Sequence, residues 1–281
     1  MPQLLLELFT EEIPARMQAK AQADLARALT DKLTEAGVMP EAVTGLSGPR
    51  RLTAVAEGLP IKSADVREER KGPRVDAPEK AIAGFLRGAG LTSIDQAQTR
   101  EDKKGEIYVA VIEKPGRVTT DIIAEVVPEI VRSFHWPKSM RWGEQDLRWV
   151  RPLQRILCTF DGEIVPFEVD GIASGNETEG HRVMGRGPFK VRGFEDYEQA
   201  LKGEGHVILD REERKEIIAH EAKTLCQAQN LELVDDPGLL EEVAGLAEWP
   251  VVVMGEMDPE FLDLPAEVIT LSMRTHQKYF A

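Results

Sequence analysis

Six arginines carry the chemistry that this sequence offers: Arg50, Arg51, Arg141, Arg151, Arg182 and Arg186. A guanidinium is a planar fork of donors that matches a phosphate or carboxylate bidentately, and it stays charged at neutral pH. Arg50 and Arg51 stand in Gly48-Pro49-Arg50-Arg51, a rigid turn whose backbone amides would add to an anion seat. Arg182 and Arg186 belong to a loop that opens with Gly180-His181 and holds four bases between residues 180 and 192 without an acid. Arg141 and Arg151 lie in 134–155, where Lys138, Arg148 and Arg155 face only Glu144 and Asp146. That stretch also holds His135 and three of the four tryptophans, Trp136, Trp142 and Trp149, so it interleaves phosphate-gripping cations with rings that could stack on unpaired bases. The tryptophans read better as core. A further patch, Arg67, Arg70, Lys71 and Arg74, opposes only Glu68 and Glu69. Arg50, Arg51 and Arg186, beside glycines in turns, are expected to be open to a ligand. Arg141 and Arg151, wedged between tryptophan and proline, are expected to be structural.

Other chemistries lack their residues. There is no phosphate loop ending in Gly-Lys-Ser/Thr and no complete dinucleotide fingerprint. Gly88-Ala89-Gly90 reads as a turn. Gly185-Arg186-Gly187 with Arg192 downstream hints at an ATP-binding glycine run, but the third glycine is missing and Pro188 interrupts the strand. Cys158 and Cys226 have no second cysteine or histidine at ligand spacing, so both read as packing residues and no metal site is expected. Asp235-Asp236 and Glu241-Glu242 point in different directions on a helix and read as solvated faces. No catalytic residue is assigned.

The elements that must position the arginines follow from periodicity. Residues 3–9 read as a strand, after which Thr10 offers an N-cap and Glu11 and Glu12 suit a helix dipole. Met17, Ala21, Leu25, Leu29 and Leu33 then form one helical stripe ending before Gly37. Residues 43–46 and 52–56 read as strands around the Gly-Pro-Arg-Arg turn, and Asp76 and Glu79 as a capping box for a helix towards Arg87. Residues 107–112 read as a strand and 122–134 as a helix containing Pro128. Residues 155–160 and 164–169 flank an Asp161-Gly162-Glu163 hairpin turn. Asp210 opens a long helix to about Gln229, residues 250–254 read as a buried strand, and Pro265 opens a last short helix. Without strict βαβ alternation the fold class is α+β, with mixed, largely antiparallel sheets packed with helices. Two subdomains are expected, 1–150 and 151–281.

The 281 residues carry a net charge of −14, which at first argues against a polyanionic partner. The acidity is local: residues 195–270 hold 20 Asp/Glu against 5 Lys/Arg, and the remainder is nearly balanced at +1. Exposed charges more than about 8 Å apart are largely screened, so the basic patches can act on their own. The competing reading pairs these arginines with the acidic stretch. No run of 18 apolar residues occurs and two cysteines are too few for a disulfide framework, so a cytoplasmic protein without membrane attachment is expected.

Nine motifs in order carry a resemblance that composition does not supply. They are Leu6-Glu7-Leu8-Phe9-Thr10-Glu11-Glu12-Ile13-Pro14, Gly48-Pro49-Arg50-Arg51-Leu52, Arg70-Lys71-Gly72-Pro73, Met140-Arg141-Trp142-Gly143 and Val150-Arg151-Pro152. Gly180-His181-Arg182, Glu212-Glu213-Arg214-Lys215, the run from Leu240-Glu241-Glu242-Val243 to Glu248-Trp249-Pro250-Val251-Val252, and His276-Gln277-Lys278-Tyr279-Phe280 complete the series. The chain resembles the N-terminal part of the bacterial glycyl-tRNA synthetase beta subunit. Members of that family continue well beyond this length, and residues 277–280 read as the start of a further strand.

The resemblance implies a beta subunit of a tetrameric glycine–tRNA ligase that binds tRNA(Gly) and the alpha subunit, while the alpha subunit performs the ATP- and Mg²⁺-dependent attachment of glycine. No cofactor is then expected in these residues, and the six arginines become tRNA-binding candidates. The acidic stretch would keep clear of RNA or dock another domain or the alpha subunit. An RNA-binding translation factor or scaffold without a catalytic partner is the alternative. Co-purification with a catalytic subunit separates the two.

Overall fold

The computed structural model of the chain describes residues 2–102 and 105–281. In chain order its elements are β1 (Leu4–Thr10), α1 (Ala15–Glu35), β2 (Ala42–Gly48), β3 (Arg51–Glu57), β4 (Val66–Arg74), α2 (Glu79–Ala89), β5 (Gln98–Asp102), β6 (Gly105–Lys114) and α3 (Thr119–Ser133). There follow β7 (Leu153–Phe160), β8 (Glu163–Ile164), β9 (Glu168–Val169), β10 (Ile172–Gly175), β11 (Glu177–Thr178), β12 (Phe189–Lys190), α4 (Phe194–Lys202), α5 (Arg211–Ala228), α6 (Pro237–Ala244) and α7 (Ala266–Ser272). They form two compact units. One is Ile61–Thr119, and the other joins the residues up to Pro60 to Thr120–Ala281. The boundary expected at residue 150 falls inside the larger unit, because β1 pairs along its whole length with β7 on the far side of that boundary.

In the larger unit β1 is central to a seven-stranded sheet ordered β2-β3-β1-β7-β10-β9, with β8 paired to β7. Its pairs are antiparallel except β10 with β7, so the fold is α+β with a mixed, largely antiparallel sheet. Side chains alternate across a strand, and here both faces are covered. Leu4, Leu6 and Leu8 pack with the α1 stripe and with Ile122, Ile123, Val126, Val127, Ile130 and Val131 of α3. Leu5 packs on the other face with Val55, Leu157, and Tyr197 and Leu201 of α4. Each such side chain, fully buried, contributes about 1.5–3 kcal/mol. The Asp161-Gly162 turn between β7 and β8 has positive φ at both residues (51° and 84°), the conformation that matches the twist of a two-residue hairpin.

The smaller unit is a three-stranded antiparallel sheet ordered β4-β6-β5, with α2 against β4. Gly72 of β4 permits the approach of Phe85, since a Cβ there would lie 2.7 Å from that ring. Arg70 donates to the Gly88 carbonyl at the end of α2. The basic patch at 67–74 is therefore a strand edge whose charges are partly engaged locally, Arg74 with Asp76 at 3.2 Å among them.

Several local expectations need correction. Thr10 is the last residue of β1, and its hydroxyl donates to the carbonyls of Arg151 (3.1 Å) and Pro152 (3.0 Å) instead of capping a helix. Helix α1 begins after Pro14, and α2 after Pro78, each without a side-chain cap, so the Asp76–Glu79 capping box does not form. Residues 250–254 join no sheet; Val251 and Val253 are 66% and 81% exposed, and the Val252 amide turns to the Glu221 carboxylate. Residues 273–277 are a π-helical turn with no strand after it.

Candidate nucleic-acid interface

The basic surface is built where β1, β3 and β7 end together. Strand register places Arg51 of β3 and Arg155 of β7 directly opposite Phe9 of β1, on the face that carries Glu7 and Leu5 further along. Beyond Leu5 that face becomes mixed, with Glu7 set between Thr53 and Leu157, and Phe9 between Arg51 and Arg155. Glu7 is fully buried there, and so needs partners for both carboxylate oxygens.

Arg51 supplies one. It is 1% exposed, and its Nη1 donates to Glu7 Oε2 (3.0 Å) and Thr178 Oγ1 (3.4 Å). Its Nε and Nη2 donate to Glu248 Oε1 (3.1 and 3.0 Å), and Nη2 also to the Glu179 carbonyl (2.9 Å). All five donors of the guanidinium are engaged. Burial alone would lower its pKa, but Glu248 and Glu7 outweigh burial and raise it. Glu7 in turn accepts from Thr178 Oγ1 (2.7 Å) and the Tyr197 hydroxyl (2.5 Å), and burial followed by Glu7 holds that phenol well above its usual range. Arg214 of α5 is also fully buried and donates to four carbonyls, those of Ala244, Ile208, Leu209 and Ser47, at 2.6–2.9 Å. Burial brings its pKa down to about 10, which leaves it charged at neutral pH.

Arg51 is thus a structural ion-pair residue. The expectation that it lies open to a ligand is corrected: as the first residue of β3, its side chain turns into the face that Glu7 occupies. Arg50 is also mostly buried, at 7% exposure, with its guanidinium 4.6 Å above the Phe9 ring. Unlike Arg51, it has Nε and Nη1 buried without any hydrogen-bond partner. Burial lowers its pKa, and the neighbouring Arg182 and Arg51 charges act in the same direction against Glu248 and Glu179.

The exposed arginines at this edge are on the 180–192 segment. Arg182 is 53% exposed and bonds Glu11 at 2.8 Å, and Arg186 is exposed with no ion pair to any described residue. The loop beneath them is firmly pinned. Amides of His181 and Arg186 donate to the carbonyls of Gly205 (2.7 Å) and Glu204 (2.9 Å), and His181 Nδ1 accepts from the amides of Val183 and Met184. A Cβ at Gly180 or Gly185 would lie about 2.5 and 2.4 Å from the Gly205 carbonyl, so only glycine allows this approach. Lys190 and Arg192 follow, both exposed.

Arg50, Arg51 and Arg182 are therefore brought together. Arg151 is half-buried at the same edge, its Nη1 on the Val150 carbonyl (2.8 Å) and its own carbonyl held by Thr10. Arg141 is exposed but bends back onto Gln145 and Asp146 within its own loop. Trp136 and Trp149 are buried and stack edge to face at 5.1 Å, so neither ring is presented to a base. Glu7, Arg155, Arg214 and Glu248 were not singled out as site residues. A lone Glu inside an apolar strand was the readable signal for Glu7, whereas nothing local marks Glu248 as its indirect partner through Arg51. Among the described residues no group of three or more His, Cys, Asp or Glu could hold a metal ion, and no helix is long and apolar enough to cross a membrane.

Three of the motifs read along the chain meet in this network, through Glu7, Arg51 and Glu248, and Arg214 of a fourth is buried within reach of the Glu248 and Arg51 charges. The sequence profile described as glycyl-tRNA synthetase beta subunit matches residues 4–281. A glycine–tRNA ligase beta subunit from Phenylobacterium zucineum is 62% identical over the whole chain, and those of Cereibacter sphaeroides and Ruegeria sp. are 55% and 56% identical. The chain spans 41% of the length of each of these relatives. With a profile matched almost end to end and relatives 55–62% identical over the whole chain, the chain belongs to the glycyl-tRNA synthetase beta subunit family.

Proposed function

We propose that this chain is the non-catalytic, tRNA-gripping part of the beta subunit of a tetrameric, cytoplasmic glycine–tRNA ligase. The alpha subunit then carries glycine activation with ATP and Mg²⁺, and the beta subunit secures tRNA(Gly) for charging. The observation that carries the reading is the pinned loop at 180–192, which holds Arg182, Arg186, Lys190 and Arg192 at the surface on a rigid base. A preorganised cationic edge gains phosphate contacts without first ordering a loop. The acidic 195–270 stretch suits a face that keeps clear of RNA and meets another part of the assembly.

The test uses the full-length, assembled ligase. Arg182→Ala with Arg186→Ala should raise KM for tRNA(Gly) by about tenfold or more, at roughly 1.4 kcal/mol per tenfold, while glycine-dependent pyrophosphate exchange stays at the wild-type rate. An unchanged KM for tRNA overturns the reading.

A further inference from the structure

Two guanidiniums are buried at the end of the sheet with no carboxylate in contact, Arg214, whose donors are met by four carbonyls, and Arg50, whose donors are not. Arg51 lies between Glu7 and Glu248, Arg155 bonds Glu179 at 2.8 Å, and Arg182 bonds Glu11 at 2.8 Å. Arg50 has none of these carboxylates within ion-pair distance, although more than nine-tenths of it is buried. Its Nε and Nη1 lack acceptors, and so does Nη1 of Arg155. The residues that carry these orphan donors share their neighbours. Arg50 lies over the Phe9 ring, Arg155 is the cross-strand neighbour of Phe9, and both feel the charge of Glu179. Water can accept such hydrogen bonds but leaves the charge uncompensated. A tetrahedral oxyanion answers both needs, since several acceptor oxygens around one centre can meet two forks at once.

We infer that Arg50, supported by Arg155 and rimmed by Arg182, forms a seat for a single phosphate-class oxyanion above Phe9. The seat opens when Arg182 exchanges its partner Glu11 for the incoming anion. A guanidinium already largely buried makes a strong contact, because most of its dehydration on the protein side precedes the ligand. The phosphate can be a free ion or a phosphodiester of RNA. Only the latter source rests on the function proposed above.

Thermal melts of the chain with inorganic phosphate, against chloride at matched ionic strength, test the seat. At about ten times its dissociation constant phosphate should raise Tm by roughly 3 °C. Arg50→Gln should abolish that shift, and without phosphate should melt no lower than the wild type, since it removes an uncompensated buried charge. Arg50→Lys, which keeps the charge, should retain a weaker shift. A wild type indifferent to phosphate, a shift that survives Arg50→Gln, or a low melt of Arg50→Gln in chloride that Arg50→Lys restores without any phosphate response would each overturn the seat. Competition identifies the source: phosphate that weakens tRNA binding to the wild type but not to Arg50→Gln marks an RNA phosphodiester, and phosphate that binds without competing marks the free ion. Phosphate binding by a protein that binds no tRNA would sink the proposed function and leave the seat standing.

Discussion

Arg50 and Arg51 are adjacent in sequence and of the same type, yet their environments oppose each other. Arg51 has every donor satisfied between two buried carboxylates, whereas Arg50 is buried with two nitrogens idle. Removing one partner of a buried pair leaves the other charge uncompensated, so Arg51→Met or Glu248→Gln should destabilise the fold by about 3–5 kcal/mol, read from urea melts. Tyr197→Phe removes the hydroxyl between Glu7 and Thr53 and should cost about 1–3 kcal/mol with no change in RNA affinity. If Arg51→Met melted like the wild type, the network would not be what holds these motifs together. The turn itself was legible from Gly48-Pro49. Which of its two arginines turns onto the Glu7 face was not, because that depends on where β3 begins, and a one-residue slip in a strand reverses the face.

Elements whose side chains obey one periodicity were the readable ones. The α1 stripe is buried at every position it predicts, Met17, Ala21, Leu25, Leu29 and Leu33, and the 122–134 helix and the 155–160 strand are core elements as expected. Strands β4 and β5 were missed because charge fills them on both faces; their partner β6 supplies the apolar character, with Val109 and Ala110 buried. Residues 250–254 have the composition of a buried strand, but a strand needs a neighbour, and that is a tertiary fact. Close approaches also lie outside periodicity. Gly45 of β2 would put a Cβ 2.5 Å from the Gln22 carbonyl of α1, so Gly45→Ala should destabilise by about 1–3 kcal/mol, which a denaturant melt would show. Between α5 and α6, Lys215 and then Arg211 hold the Glu241 carboxyl below its ordinary 4.5. A depressed carboxylate stabilises the fold above 4.5, and that contribution fades as pH falls through the lowered folded value. Glu241 is half exposed, so screening limits the gain to ~0.5–1 kcal/mol. Glu241→Gln should therefore melt below the wild type at pH 7 and coincide with it in acid. A constant gap down to pH 3 would refute the linkage.

At the scale of the whole molecule, a chain of net −14 presents a cationic edge because the charges are segregated along the sequence. The 195–270 stretch gives Glu248 to the buried network, where its charge is neutralised, and the 180–192 segment just before it holds no acid at all. The acidic stretch therefore contributes a buried partner for Arg51 and leaves Arg186 unpaired among the described residues. Inward arginines hold the sheet's end together, and on the function proposed above the outward ones meet RNA. The salt dependence of tRNA(Gly) binding tests it most directly, because removing one phosphate-binding side chain flattens the slope of log K against log salt by roughly 0.7–0.9. For Arg182→Ala with Arg186→Ala in the full-length subunit, the slope should be shallower by about 1.4–1.8 at an unchanged melting temperature. An unchanged slope, or a slope that changes only because the protein melts earlier, would contradict it.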